Sequence, residues 1–149
     1  MEPHSLLAQQ SEIELQGNRQ AGWRTDPSRA GNSNCMGDIG VHAFNLTEFV
    51  SGLFVTQMRG ELNRVVAGRA LDDDGVVTMR FDNGAHGVLL ASQVSTGEEN
   101  GIRLRVFGER GSIDWKQMEP NSLWLRQNGR PTELFRTGTA YVGDRKSTR

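Results

Sequence analysis

Two residues of this sequence have types and a spacing that suit proton transfer. Asp38 and His42 are four residues apart, and at that spacing two side chains share one face of a helix. An aspartate that accepts a hydrogen bond from one imidazole nitrogen makes the other nitrogen a better base near neutral pH. The alternative is structural, in which Asp38 caps a helix and His42 is a hydrogen-bonded histidine at the edge of a core.

Apolar residues recur with helical spacing around this pair. They are Ile39, Ala43, Leu46, Phe49 and Val50. The pattern predicts a helix over residues 37–51 with one side on an apolar surface. Gly52 is expected to end it in a left-handed conformation, and Asn34 or Ser33 to cap its start.

A loop over residues 23–36, rich in glycine, asparagine and serine, is predicted to deliver the chain to this helix and to form one wall of a polar site. Trp23 could stack on a sugar face, or it could anchor the loop. Arg24 could hold a hydroxyl or carboxylate, or it could be solvated. With Asn34, these are the candidate substrate-binding residues.

Several phrases of the sequence resemble one enzyme family. They are W-R-T-D-P at 23–27, A-G at 30–31, G-D-I-G-V-H at 37–42, L-D-D-D-G at 71–75, A-S-Q-V at 91–94, G-E-E-N at 97–100 and V-F-G-E-R-G at 106–111. Together they resemble the second domain of the glucose-fructose oxidoreductase and inositol dehydrogenase (Gfo/Idh/MocA) family of NAD(P)-dependent sugar and polyol dehydrogenases. The D-x-G-x-H phrase is the specific part.

The resemblance implies a catalytic role for both residues of the pair. His42 would remove the hydroxyl proton of a sugar, polyol or cyclitol while the substrate carbon gives its hydride to the nicotinamide, and Asp38 would orient the imidazole or the substrate. Asn45 stands where the family often has an acidic residue. This departure affects the expected substrate contacts and leaves the expected role of His42 unchanged. The resemblance also implies a homo-oligomer formed through the open face of the sheet.

The sequence lacks the residues that would hold the cofactor. It contains no G-x-G-x-x-G phrase, which forms the phosphate-binding turn of a dinucleotide site. The family's catalytic lysine has no counterpart either, since Lys116 and Lys146 stand in other contexts. We therefore expect a substrate domain trimmed at both ends, inactive alone, with NAD or NADP bound only in the full-length parent and no cofactor or metal on this chain.

Composition limits the partners and the cellular location that we expect. A net charge of −1 gives no reason to expect nucleic acid or an anionic membrane as a partner. The single cysteine fits a reducing compartment, so the expected location is the cytoplasm. No apolar run approaches the roughly 20 residues of a membrane span, and the first 20 residues do not resemble a secretory signal.

The second half of the sequence alternates in polarity and predicts about seven strands. Residues 53–66 suit a long strand, Asp82-Asn83-Gly84 predicts a tight hairpin, and residues 102–107 alternate arginines with apolar residues, a polar face opposite an acidic strand. Asp72-Asp73-Asp74 is interpreted as a solvated hairpin tip, with only a weak metal signal.

These patterns predict an α+β fold, a mostly antiparallel open β-sheet with a helix packed on one face. The expected organisation is a poorly defined lead-in over residues 1–22, the domain over residues 23–138, and a polar tail over residues 139–149. A competing hypothesis is a non-catalytic oligomerisation module in which Asp38 and His42 are structural. A small hydrolase or isomerase with the pair as metal ligands ranks last, because no third ligand is evident.

Overall fold

A computed structural model describes Trp23 and residues 26–138 of the chain. A short helix, α1, is followed by a π-helical turn that continues directly into helix α2, and seven strands complete the chain. The bounds are α1 Pro27–Ala30, π-turn Met36–Gly40, α2 Val41–Ser51, β1 Val55–Asn63, β2 Asp74–Phe81, β3 His86–Ser92, β4 Arg103–Gly108, β5 Gly111–Lys116, β6 Ser122–Gln127 and β7 Glu133–Arg136. The predicted α+β class with antiparallel strands is confirmed.

The strands form two hydrogen-bonded sheets, one in each of two compact units. The described residues up to Glu98 form the first unit, and those from Glu99 onward form the second. The first unit contains the helices and the sheet β1-β2-β3, and the second contains the sheet β4-β5-β6-β7. Every neighbouring pair of strands is antiparallel.

The hairpin between β2 and β3 forms where Asn83-Gly84 predicts it. Gly84 has φ +86°, which a glycine adopts without a steric penalty. Its N–H donates to the Phe81 carbonyl at 3.0 Å, and the Phe81 N–H donates to the Ala85 carbonyl at 2.9 Å. The turn fixes the register that pairs Arg80 with His86, which sends alternate residues of both strands to the core face.

The core of the first unit lies between one face of this sheet and the start of the helical segment. Its buried members are Cys35, Met79, Phe81, Leu89 and Ala91, against which Met36, Ile39, Ala43 and Phe44 pack. The predicted helix is confirmed, and it ends at Gly52 with φ +68°.

The second half of the predicted apolar stripe is not covered by the described residues. Phe49 is 82% exposed and Val50 is 41% exposed. Glu48 follows Phe44 by four residues and therefore lies on the same side of α2. Its carboxylate accepts the Val55 N–H at 2.8 Å. Apolar contact between α2 and the core therefore ends at a polar residue, one turn before the helix does.

The interpretation of Asp72-Asp73-Asp74 as a solvated tip is wrong. Asp72 is 5% exposed and Asp73 is fully buried. The two carboxylates accept backbone N–H groups from neighbouring loops, which compensates for the loss of water. A run of carboxylates in a sequence suggests solvent exposure. The backbone N–H groups that donate to these carboxylates lie elsewhere in the chain, so the run itself does not reveal them.

The second unit carries the predicted arginine face. Arg103 donates from Nε and Nη2 to the two carboxylate oxygens of Asp114 across the β4–β5 pair, at 3.1 and 2.7 Å, and Arg126 Nη1 lies 3.8 Å from the same carboxylate. The acidic neighbour expected opposite the arginines is thus present. The Arg103 hydrogen bonds lower the pKa of Asp114 below its usual value.

Three sequence predictions fall outside the described residues. They are the lead-in over residues 1–22, the polar tail over residues 139–149, and the role of Arg24. Across Trp23 and residues 26–138, no helix is long and apolar enough to cross a membrane.

Candidate functional site

Asp38 and His42 lie on the continuous helical segment that the π-turn and α2 form. Asp38 is in the middle of the π-turn, and His42 is the second residue of α2. The Val41 N–H donates to the Met36 carbonyl, five residues back, which is the hydrogen bond that defines a π-turn. Such turns occur frequently at functional sites in proteins.

The two side chains differ in their environment. His42 is exposed, whereas its neighbour Ala43 packs on the core, so the imidazole is on the solvent side of α2. Asp38 is partly buried. The functional pairing of Asp38 with His42 stays a prediction.

The start of the helical segment is held by Asp72, which precedes β2 by two residues. The carboxylate of Asp72 accepts the Asn34 N–H on Oδ1 and the Met36 N–H on Oδ2, both at 2.8 Å. The Asp72 carbonyl accepts the intervening Cys35 N–H at 3.1 Å. Burial by itself raises the pKa of this carboxyl, but the hydrogen bonds from Met36 and Asn34 outweigh burial, and the pKa of Asp72 is lowered.

A second set of hydrogen bonds, made by Asp73, holds the segment that contains Asp72. Asp73 accepts the Val65 N–H at 2.7 Å and the Val66 N–H at 3.0 Å. Its carbonyl accepts the Gln93 N–H at 2.8 Å. The Gln93 side chain in turn accepts the Asn34 amide at 2.8 Å. The loop before the helix is therefore tied both to the start of β2 and to the end of β3.

Met36 fills a slot that two glycines leave open. A Cβ at Gly40 would lie 2.6 Å from Met36 Sδ, and a Cβ at Gly75 would lie 2.8 Å from Met36 Cε. Both distances are shorter than a carbon atom tolerates. The absence of side chains at these positions lets the first turn of the helix approach β2.

The other predicted site residues occupy different environments. Asn34 is 6% exposed, and its amide N–H is donated to Gln93. Trp23 is 37% exposed, and Ser33, the other predicted cap, accepts the Gly37 N–H at 3.0 Å. Sequence reasoning missed Asp72, which has the closest structural connection to the helix start, and no periodicity or spacing signals this role.

Cys35 is a structural thiol. Its side chain is fully buried in the core of the first unit. Burial, together with the charges of the nearby Asp72 and Asp74 carboxylates, raises the pKa of its thiol to about 12. The thiolate form that nucleophilic chemistry needs is therefore disfavoured at neutral pH.

The described residues do not fit a dinucleotide or a metal cluster. Helix N-termini commonly hold phosphate through free backbone N–H groups, but here Asp72 already takes those of Asn34 and Met36. The glycine-rich phosphate-binding phrase is missing from the whole sequence. No group of three or more His, Cys, Asp or Glu side chains within Trp23 and residues 26–138 is arranged to hold a metal ion.

Comparison with known proteins gives a consistent family match. Residues 5–114 match the model of the family described as the GFO/IDH/MocA C-terminal domain. The chain is also 31% identical over 124 residues to the uncharacterized oxidoreductase YfiI of Bacillus subtilis (strain 168), a match that covers 82% of this chain and 32% of YfiI.

Solved structures resemble the chain over most of its length. An inositol dehydrogenase homolog from Azotobacter vinelandii, complexed with NAD+, is 30% identical with a TM-score of 0.80 and covers 93% of this chain and 34% of its own. A structure of the homolog with NADH and myo-inositol is 25% identical with a TM-score of 0.74, covering 93% and 40%. Levoglucosan dehydrogenase, complexed with NADH and levoglucosan, is 26% identical with a TM-score of 0.69, covering 78% and 34%. The chain spans about a third of the length of these relatives.

Proposed function

Because the chain belongs to the GFO/IDH/MocA C-terminal domain family, we propose that it is the substrate-binding and acid/base part of an NAD(P)-dependent oxidoreductase. The reaction is the interconversion of a hydroxyl and a carbonyl group on a sugar, polyol or cyclitol. The observation that carries the proposal is the exposed imidazole of His42, presented by a helical segment whose first turn is fixed to the sheet.

In this proposal His42 moves the proton of the reacting hydroxyl. It accepts that proton when the alcohol is oxidised and returns it when the carbonyl is reduced. Solvent exposure of the imidazole in this chain leaves it accessible to a ligand, while the adjacent Ala43 packs against the core. Asp38, one turn earlier, orients the imidazole or the substrate.

The proposed substrate class rests on the relatives. Their structures contain myo-inositol and levoglucosan, so polyols, cyclitols and sugars are the compounds to test first. Trp23 and Arg24 would contact the substrate from the preceding loop. Asn34 would act indirectly, by holding that loop in place, because it is buried and its amide donates a hydrogen bond to Gln93.

The hydride acceptor is NAD or NADP in the proposed whole enzyme. The relatives were solved with NAD+ or NADH, and a nicotinamide cofactor supplies hydride transfer. No residue of this chain is assigned to the cofactor, since the described residues do not fit it. The chain alone is expected to show no turnover.

The test measures NAD(P)-dependent oxidation of a panel of polyols and sugars. The reading frame that joins this chain to a dinucleotide-binding half is compared with the same frame carrying His42→Ala. We expect turnover to fall by a factor on the order of a hundred or more, as for loss of an acid/base group. His86→Ala is the matched control, because His86 is an exposed histidine at the start of β3, and its turnover should be unchanged.

Equal turnover of the His42→Ala and unaltered proteins would contradict the catalytic role. Asp38 and His42 would then be structural, and a non-catalytic oligomerisation module would be the better description. Val88 and Leu90, on the sheet face opposite the core, are each 67% exposed, as a module that assembles through this face requires. We infer that copies of the protein associate through this open face, which is compatible with either function.

A further inference from the structure

The contacts around Asp72 point to a role beyond general stability. Three consecutive residues, Asn34, Cys35 and Met36, donate their N–H groups to the carboxylate or the carbonyl of Asp72. These residues lead directly into the π-turn that contains Asp38. Asp72 itself is 5% exposed, so its position is set by the surrounding protein and not by solvent.

The geometry of the π-turn depends on where this loop is held. A π-turn contains one more residue per hydrogen-bonded turn than an α-helix, so its conversion to regular helix would rotate the preceding residues by about 100° relative to α2. Asp72 accepts N–H groups on both carboxylate oxygens, from Asn34 and Met36, and this two-point attachment opposes that rotation. Met36, in the slot beside Gly40 and Gly75, fixes the same turn from its other side.

We propose that Asp72 is a positioning residue for the Asp38 and His42 pair, acting through the backbone of the first helical turn. It sets the angle at which Asp38 leaves the helix and therefore the distance between the Asp38 carboxylate and the His42 imidazole. This inference rests on the proposed function for its importance, but the positioning itself can be measured without turnover.

The experiment uses NMR on the full 149-residue chain and on the variants Asp72→Asn, Asp72→Ala and Asp74→Asn, each with and without Asp38→Asn. The first readout is hydrogen exchange at the Asn34 and Met36 amides, which should accelerate roughly tenfold in Asp72→Ala, as for loss of a helix cap. Asp72→Asn keeps one acceptor oxygen and is the milder variant that remains useful if Asp72→Ala does not fold.

The second readout distinguishes positioning from simple capping. The chemical shifts of the His42 imidazole should change on Asp38→Asn in the otherwise unaltered chain, and this coupling should disappear in the Asp72→Ala background. Asp74→Asn is the matched control, because Asp74 belongs to the same acidic run but accepts its hydrogen bond from Asn63, at 3.2 Å. The coupling should persist in that variant.

Two results would overturn the proposal. If the Asp38 effect on His42 persists while the Asn34 and Met36 amides exchange faster, Asp72 is a cap and positions nothing. If Asp38→Asn leaves the chemical shifts of the His42 imidazole unchanged in the otherwise unaltered chain, there is no coupled pair to position. A lost coupling in Asp72→Ala together with unimpaired turnover of His42→Ala would support the positioning and contradict only the proposed function.

Discussion

At the scale of single residues, buried carboxylates in this protein are stabilised by specific donors. Asp72 and Asp73 are held by backbone N–H groups, and Asp114 by the guanidinium of Arg103. Each replaces lost hydration with hydrogen bonds of good geometry. The sequence alone predicts an acidic strand opposite the arginines, because alternation in two adjacent strands brings opposite charges together. It does not predict the contacts of Asp72 and Asp73, whose partners lie in loops.

The Asp114 pair gives a pH-dependent prediction. Because the pKa of Asp114 is lowered in the folded state, its contribution to stability is present above the unfolded value, near 3.8, and is lost as the pH falls through the folded value. Asp114→Asn should therefore lower the denaturation midpoint at neutral pH by about 3 °C, a modest effect because Arg103 is half exposed. Once the pH has fallen well below the lowered pKa of Asp114, the difference should vanish.

Thermal unfolding of both proteins between neutral and acidic pH checks this. Arg103→Gln serves as the partner variant, because it removes the same contact and leaves Asp114 in place. A midpoint difference that stays constant down to the acid limit would show that Asp114 acts through packing and not through its charge.

At the scale of elements, the pairing of β5 with β6 depends on the absence of a side chain at Gly111. A Cβ at Gly111 would overlap the carbonyl oxygen of Arg126 on the neighbouring strand. Backbone atoms of a paired strand cannot move away singly, so the two strands must separate locally or shift. Gly108, across the same β4–β5 turn, leaves ordinary room, since its Cβ would lie 3.6 Å from the Gly111 carbonyl oxygen.

We expect Gly111→Ala to destabilise the protein by about 2 kcal/mol, a typical cost of overpacking. Gly108→Ala, the matched control, should cost less than about 1 kcal/mol. Urea denaturation with hydrogen exchange of the β5 and β6 amides measures both effects. Equal stability of the two variants would contradict this account of the strand pairing.

The elements also show which kinds of structure can be predicted from this sequence. Asn83-Gly84 predicts its hairpin because the turn needs a positive φ that glycine supplies. The helix follows from its periodicity, but the π-turn does not, because a pattern of 3.6 residues cannot reveal one extra residue in a turn. The exposure of Phe49 likewise depends on where the sheet ends, which is a tertiary property.

At the scale of the whole molecule, the distribution of exposed apolar side chains predicts association. Alternation along β2 and β3 buries Met79 and Leu89 and sends Val88 and Leu90 to the opposite face. Large exposed apolar residues grouped on one face commonly mark a contact surface. The sequence could indicate which residues share the face, but their exposure is apparent only once the helix is seen on the other side.

We expect Leu90→Lys to weaken self-association at least about tenfold, because an unpaired ammonium group is costly in an apolar interface. Sedimentation equilibrium over a range of protein concentrations measures this. The matched control is Met58→Lys, whose side chain is 61% exposed but pairs with Met79 on the core face, and it should leave the association constant unchanged. An unaltered mass distribution for Leu90→Lys would exclude this surface.

The attachment of the helix to Asp72 has a consequence for the order of folding. The carboxylate is 38 residues beyond Asn34 and 36 beyond Met36, so synthesis completes the helix well before its cap exists. An isolated helix of 11 residues is marginal in water, and so is an isolated two-stranded hairpin. The helix that carries His42 is therefore expected to consolidate late in the nascent chain, together with the sheet on which it packs.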